Sequence, residues 1–421
     1  MPKTKKIALI GFGNIGTGVV RLLYEKGIAG LELVKVIDVD IKTRRGIDLP
    51  SSMLSTDWKQ AVSDPKVDIV VELIGGLEPA RSIQMEALKA GKDVVTANKK
   101  LLAKEGDTIF QQVSALNRRL GFRATFVGGH SLIHELGLAG TGAKKFRRIY
   151  AILNGTSNYI LSTMAREGQS FEEALKGAQA KGFAERDPSD DIDGKDTENK
   201  IRIILALISN SYRSAGAFPV EGIRDIAQQD IQYADELGYS VKLVGVIEPK
   251  EGSFDVAVHP ALVPKISLLG SLQGAYNGIE LEDEYGTVSG LVSPGAGAYP
   301  TADAVVKDLL DIAEGRTMPI PVSASPLTLG ATDDVKRRYY LRFSVSDEAG
   351  VLARITDIFW KYNISIASVI QKEAVSTEFV PVVITTHLAR EGDIQAAISR
   401  IDALEVVKAK TRIIRLLNAN T

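Results

Sequence analysis

The stretch Gly182–Lys200, GFAERDPSDDIDGKDTENK, gathers acidic side chains in a proline-bearing loop and then opens a helix with Asp196 and Lys200 four residues apart. Residues at i and i+4 share a helix face, so the Lys200 ammonium can lie against the Asp196 carboxylate. The run that follows, IRIILALI, gives that helix an apolar face to bury. A lysine held by carboxylates on a buried helix can pass a proton to and from a hydroxyl or aldehyde oxygen. A second lysine, Lys99, follows the short apolar run DVVT and the turn residues Ala97 and Asn98. That places it at the carboxyl end of a strand, where an active-site amine and a surface lysine are both open. A calcium loop is the competing reading of the acidic stretch, because Ser189, Asp191, Asp193 and Gly194 fit loop positions one, three, five and six. Position twelve then falls on Lys200, a cation where a bidentate carboxylate is required.

These groups need a scaffold, and the beginning of the chain describes one. KKIALI (5–10) is an apolar strand running directly into GFGNIGTGVV. In this Gly-x-Gly-x-x-Gly pattern Gly11 makes the tight turn, Gly13 permits close approach of a pyrophosphate, and Gly16 allows helix–strand packing, with Phe12, Asn14 and Ile15 between them. A helix beginning near Asn14 would aim its amides at the phosphates. The strand LVKVI (33–37) ends in Asp38, placed to accept the adenosine ribose hydroxyls and so to favour NAD; Asp40 is a neighbouring candidate. Arg44 and Arg45 stand close enough to meet a 2′-phosphate, which leaves NADP open. The alternation continues with a strand at 68–73, a helix from about 79 to 90, a strand at 93–96, a helix over 100–116 and a strand at 122–127. Strands separated by helices predict a doubly wound parallel sheet, an α/β fold of Rossmann type. The turns Ile74, Gly75, Gly76 and Thr96, Asn98, Lys99 should face its cofactor cleft.

At 421 residues the chain has room for two or three domains. Its net charge of −1 and the absence of a long basic run give no footprint for nucleic acid or an anionic membrane. No apolar run approaches the ~20 residues of a membrane helix, and the polar start leads straight into a strand, so a cytoplasmic protein is expected. Cysteine is absent, which removes disulfides and thiolate nucleophiles. A phosphorylating aldehyde dehydrogenase, which needs a cysteine thioester, is excluded with them. His130 and His134 stand four apart, but no third ligand is evident and no metal site is predicted.

The chain as a whole closely resembles homoserine dehydrogenases. The resemblance rests on GFGNIGTG, VELIGG, VVTANKKLLAKEG, ILNGTSNYIL, AQAKGFAERDPSDDIDGKDTENK and SPGAGAYPTADAVVKDL. It implies interconversion of L-homoserine and L-aspartate 4-semialdehyde with NAD or NADP, in threonine, methionine and isoleucine biosynthesis. Carried over by motif position, Lys99 and Lys200 would be the catalytic pair. Glu185 would receive the substrate ammonium, Asp191 would help hold its hydroxyl or a water, and Asp196 would orient Lys200. Asn154, Gly155 and Thr156 would line the junction of nicotinamide and amino acid, and Gly297 in the turn 295–301 would touch the cofactor. The resemblance also implies a homodimer or homotetramer. Relatives often carry a Gly-Gly-Ile/Thr-Pro loop at a monovalent-cation site; this chain reads GGHSLIHE (128–135), and loss of the proline argues against that ion.

After a polar linker the composition resets. Residues 339–421 read βαββαβ, a ferredoxin-like order, and Asp347, Gly350 and Asn363 stand where an ACT domain, a small amino-acid-sensing module, would contact an effector. Threonine is the effector the resemblance implies, and a purely dimerising module is the alternative. The expected organisation is a dinucleotide-binding domain (1–130, completed by a return segment at about 301–320), a catalytic and dimerisation domain (131–300), a linker (321–338) and the ACT module (339–421). A non-catalytic amino-acid sensor on a dehydrogenase fold is the rival from another class, and an assay with homoserine and NAD(P) separates the two.

Overall fold

The computed structural model describes residues 4–126, 136, 145–213, 215–295, 297–316, 319–372 and 379–417. The GGHSLIHE loop with His130 and His134 lies outside the described residues. The first sheet holds β1 (Lys5–Ile10), β2 (Leu31–Ile37), β3 (Leu54–Ser55), β4 (Ile69–Glu72), β5 (Asp93–Thr96) and β6 (Leu120–Gly121). Their order is β3-β2-β1-β4-β5-β6, and every pairing is parallel. Helices cover both faces, so β1, β4 and β5 read as continuous apolar runs with fully buried side chains such as Ile7, Leu9, Val70 and Val95. Crossovers leave the β1–β4 neighbours in opposite directions. That makes the crevice beyond their carboxyl ends the topological switch point, where ligands bind in open α/β sheets.

The helix Ala298–Ala313 returns from far along the chain to this sheet, burying Ala302, Val305 and Leu309 in the same core as Ile7, Leu9 and Val36. Its Asp308 is fully buried and takes Arg123 Nη1 at 2.5 Å and the Arg123 amide at 2.9 Å. A methyl group at Gly121 would stand 2.6 Å from Asp308 Cβ, so only glycine admits this helix. The same contact explains why no strand forms over 122–126, the described part of the expected 122–127. The chain turns at Arg123–Thr125 in a single 3₁₀ turn, and both the backbone and the guanidinium of Arg123 reach Asp308.

A second, larger sheet contains β7 (Phe146–Ile152), β8 (Tyr239–Lys250), β9 (Ser253–Pro264), β10 (Tyr276–Asp283) and β11 (Val288–Pro294). These pair antiparallel in the order β11-β10-β7-β8-β9. β9 is long because it pairs with β8 from Ser253 through Pro264. The sheet then continues without a break into β16 (Val407–Leu416), β12 (Lys336–Val345), β14 (Val380–Thr386) and β13 (Ile366–Gln371), with short β15 (Ala389–Arg390) on β12. Those strands and the helices Val351–Lys361 and Glu391–Asp402 form the predicted βαββαβ unit, and Lys336–Arg338 already belong to its first strand. The seam is a parallel pair, Arg415 with Ala261 and Leu416 with Leu262. Arg415, itself buried, crosses it to Glu221 at 2.7 Å while holding Glu391 at 2.7 Å.

Candidate active site

The helix Lys195–Ser209 forms where the sequence places it, buried through Ile201, Ile203, Ile204 and Leu207. Asp196 and Lys200 lie on its inward side, with side-chain exposures of 6% and 3%, and pair at 2.8 Å. Lys200 Nζ also donates to the Leu153 carbonyl at 2.5 Å, which leaves one of its three N–H donors for another acceptor. Lys99 arrives from the other sheet. Asn98 caps the helix Lys99–Ala115 by accepting from the Leu101 amide at 3.0 Å, and Lys99 Nζ then meets Asp196 Oδ1 at 2.5 Å. One carboxylate therefore receives an ammonium on each oxygen, one from its own helix and one from the helix that follows β5. Lys99 is 39% exposed, so its amine borders open space where Lys200 does not.

Asn154 closes the cluster. Its amide donates to Asp191 Oδ1 at 2.6 Å and to Asp196 Oδ2 at 3.0 Å, and its oxygen caps the helix Gly155–Glu167 through the Ser157 amide. Thr156 Oγ1 donates to the Phe183 carbonyl at 2.6 Å, tying the acidic loop to this helix start. A methyl at Gly155 would meet the Ala275 carbonyl at 3.0 Å and Gly295 Cα at 3.1 Å, so the NGTSN and SPGAG segments touch backbone to backbone. Glu185 is exposed, and its carboxylate has no partner among the described residues. Asp193, part of the calcium-loop reading, pairs with Arg224.

The electrostatics separate the two amines. Burial lowers the Lys200 amine below an ordinary lysine and the Lys99 charge adds to this, against the pull of Asp196. Burial also opposes the charge on Lys99, but Asp196 outweighs it there and raises that amine. Burial would raise Asp196, yet Lys200 and Lys99 together hold it well below the carboxylate range. Asp191 moves up, chiefly by burial, partly offset by the Asn154 amide. Environments that push two like groups apart assign different roles to them.

The glycine loop fits a dinucleotide. A methyl at Gly16 would stand 2.0 Å from the Gly11 carbonyl and one at Gly11 2.7 Å from the Leu73 carbonyl carbon, whereas Gly13 is exposed with open space beside it. Asp38 Oδ2 accepts from the Phe12 amide at 2.5 Å and Oδ1 from the Asp40 amide at 2.8 Å, which fixes it beneath the loop. Arg45 lies over the Phe12 ring at 4.8 Å and 3.9 Å from Asp38, at the edge of a cleft of about 290 Å³ shared with Asn14, Arg21 and Tyr299. Arg44 is exposed. Ile74, Gly75 and Gly76 are exposed at the end of β4, while Thr96 and Asn98 are buried beside them. Gly297 caps the return helix, accepting from Thr301 Oγ1 at 2.8 Å. In the C-terminal unit Asp347, Gly350 and Asn363 are exposed, with Gly350 and Asn363 at φ +87° and +55°. Sequence reasoning missed Glu72 and Gln84, which are fully buried between the two cofactor-facing turns. The signal was available: an acid closes an otherwise apolar central strand just before two glycines.

Three comparisons bear on identity. Residues 11–123 match the family model "Homoserine dehydrogenase, NAD binding domain", residues 132–310 match "Homoserine dehydrogenase", and residues 339–406 match "ACT domain". A homoserine dehydrogenase of Neisseria gonorrhoeae is 35% identical over 98% of this chain and 99% of its own. The chain belongs to the homoserine dehydrogenase family. A Synechocystis homoserine dehydrogenase is 36% identical over 99% of this chain and all of its own length. A homoserine dehydrogenase structure from Thiobacillus denitrificans, 35% identical, superposes with a TM-score of 0.90 over 99% of this chain and 100% of that one. The chain is thus an NAD(P)-dependent oxidoreductase of this family with a C-terminal ACT domain. Among the described residues no helix is long and apolar enough to cross a membrane, and no cluster of acids and histidines could hold a metal ion.

Proposed function

We propose that Lys99 and Lys200 are the catalytic pair as the enzyme interconverts L-homoserine and L-aspartate 4-semialdehyde. The single observation that carries this is their convergence on Asp196 from two different helices, with opposite electrostatic biases. When bound, the nicotinamide supplies the hydride chemistry. Lys200, lowered by burial, gives a proton to the aldehyde-derived oxygen during reduction and takes it back from the hydroxyl during oxidation. Lys99, raised by Asp196, stays cationic and stabilises negative charge on that oxygen. Asp196 orients both amines. Asp191, beside Asn154, accepts from the substrate hydroxyl or a water. Glu185, exposed on the acidic loop, offers a carboxylate to the substrate ammonium. Gly13, the Ile74–Gly76 turn and Gly297 line the cofactor, with Asp38 toward the adenosine ribose.

The division into a dinucleotide-binding domain (1–130 plus the return helix), a catalytic and dimerisation domain (131–300) and an ACT module is part of this proposal. So are a homodimeric or homotetrameric assembly, a cytoplasmic location and threonine as an effector at Asp347, Gly350 and Asn363. Lys200→Ala tests the core of it. Turnover should fall by about 10²–10⁴ with little change in reduced-cofactor affinity, measured by its fluorescence on binding; near-normal turnover would refute the role.

A further inference from the structure

Among the described residues, the buried acids Asp196, Asp230, Asp308 and Glu391 each face a lysine or arginine, and Asp93 and Asp255 do so at 3.6 and 3.7 Å. Glu72, wholly buried at the end of β4, has no such partner. Four neutral donors satisfy it instead. Oε1 accepts from the Ile74 amide at 2.9 Å and the Gly75 amide at 3.2 Å. Oε2 accepts from Gln84 Nε2 at 2.8 Å and Thr96 Oγ1 at 2.9 Å. A buried charge is tolerated only when so fully hydrogen-bonded.

The four donors are not a random set. Ile74 and Gly75 form the turn after β4, at the switch point. Thr96 closes β5, and its hydroxyl oxygen accepts from the Asn98 amide at 3.0 Å. Asn98 in turn donates to the Gly76 carbonyl at 2.8 Å and caps the helix whose first residue is Lys99. A closed ring therefore runs Glu72–turn 74–76–Asn98–Thr96–Glu72, with Lys99 attached at its rim. The geometry points to Glu72 as a positioning residue for both the cofactor-facing turn and Lys99. This rests on the catalytic reading of Lys99 given above, but the arm toward the turn does not.

The chemistry of the ring supplies its own test. In Glu72→Gln the amide oxygen can still accept from Ile74 and Gly75, while its NH₂ group faces the donors of Gln84 and Thr96. Gln84 Nε2 also lies 3.2 Å from Thr96 Oγ1, so a flip of that amide gives both the new amide and the Thr96 hydroxyl an acceptor, but moves the Gln84 NH₂ group to the buried position where Oε1 had no hydrogen-bond partner. In Glu72→Gln/Gln84→Glu the carboxylate moves across the ring, where it can accept from the amide now at position 72 and, over 3.2 Å, from the Thr96 hydroxyl, and no NH₂ group is left in the pocket that Gln84 Oε1 occupied. Thr96→Val removes the acceptor for the Asn98 amide and one of the four donors to Glu72, while the Ile74 and Gly75 amides that tie Glu72 to the turn stay in place.

The variants are measured by fluorescence titration of the reduced cofactor and by steady-state kinetics in both directions. Glu72→Gln is expected to weaken cofactor binding and lower kcat, each on the order of tenfold, and the double variant to recover most of both. Thr96→Val should lower kcat on the order of tenfold with a clearly smaller loss of cofactor affinity, because the turn keeps its two amide bonds to Glu72. If Glu72→Gln does not fold, Thr96→Val still decides the matter. Affinity and kcat near wild type in Glu72→Gln, or equal losses of both in Thr96→Val, overturn the assignment. Should Lys99→Ala retain full turnover, the catalytic reading falls, yet the cofactor-affinity arm remains separately decided by Glu72→Gln.

Discussion

The most informative perturbation is Asp196→Asn, because it removes one negative charge while keeping the shape. Oδ1 receives Lys99 at 2.5 Å, and Oδ2 receives Lys200 at 2.8 Å and Asn154 at 3.0 Å. An asparagine can present an oxygen to only one side. Lys99 is partly exposed and can swing toward water, so the oxygen should stay with Lys200, which is enclosed. Lys200 then loses its counter-ion without gaining solvent. At an effective dielectric near 20, unit charges about 4 Å apart interact by about 4 kcal/mol, equivalent to about three pKa units at ~1.36 kcal/mol each. Departure of the Lys99 cation and relaxation return part of this, so a fall of at least about one unit is expected. Lys200 already lies below an ordinary lysine because of its burial, and the variant moves it further down. In the direction of homoserine oxidation, where a neutral amine must accept the proton, the rising limb of kcat/KM against pH therefore shifts to lower pH. In the reducing direction, where an ammonium must donate, the falling limb shifts the same way. The plateau rate drops as well, by about 10²–10⁴ with the loss of orientation. Profiles in both directions, followed by reduced-cofactor absorbance, give the two midpoints. A limb that stays fixed or moves up refutes Lys200 as the proton carrier.

Two stability predictions follow from the scaffold. Arg123→Met strands the fully buried Asp308, whose carboxyl burial already pushes to about 7, and should cost about 3–5 kcal/mol in a denaturant titration; adding Asp308→Asn should recover much of that. Lys242 is buried on β8 with no counter-ion among the described residues, bonded to Asn158 Oδ1 at 2.9 Å and to the Leu272 carbonyl, and burial lowers it to about 7. Between about pH 7 and pH 10 the unfolded chain then holds more protons at this lysine than the folded one does. Its contribution to stability should rise with pH across that window by about 1–3 kcal/mol, the two acceptors moderating the burial penalty. Melting curves near pH ~7 and ~9.5 check this, since Lys242→Met should remove the rise.

Local signals carried most of the fold. The glycine loop, the run of strand and helix periods and the βαββαβ reset are all short-range patterns, and apart from the strand expected at 122–127 their elements formed within a few residues of the expected span. The Asp196–Lys200 pair was legible for the same reason, as a contact between residues on one helix. What stayed hidden depends on partners far apart in sequence. Nothing in VVTANK says that Lys99 will meet Asp196, and only the docking of two sheets brings them together. Glu72 reads as the acidic end of an apolar strand until Gln84 and Thr96 are placed around it. Residues 122–127 look extended because the pull of Asp308, from a helix near the other end of the catalytic region, cannot be seen locally. Likewise the length of β9 is set by β8 along one side and by the far C-terminal strand along the other.

The parallel seam between β9 and β16 has a mechanical consequence. The C-terminal unit is not a pendant on a tether, because its last strand is stitched into the same hydrogen-bonded ribbon as β7, β8 and β9. Whatever strains that unit, a captured metabolite or a neighbouring subunit, is felt as torsion in a shared sheet rather than as the swing of a loose lobe. Trimming the protein back to its first 338 residues would accordingly do more than remove the ACT domain. It would bare the main-chain groups of Ala261 and Leu262 and leave Glu221 without Arg415, turning an interior seam into an adhesive border.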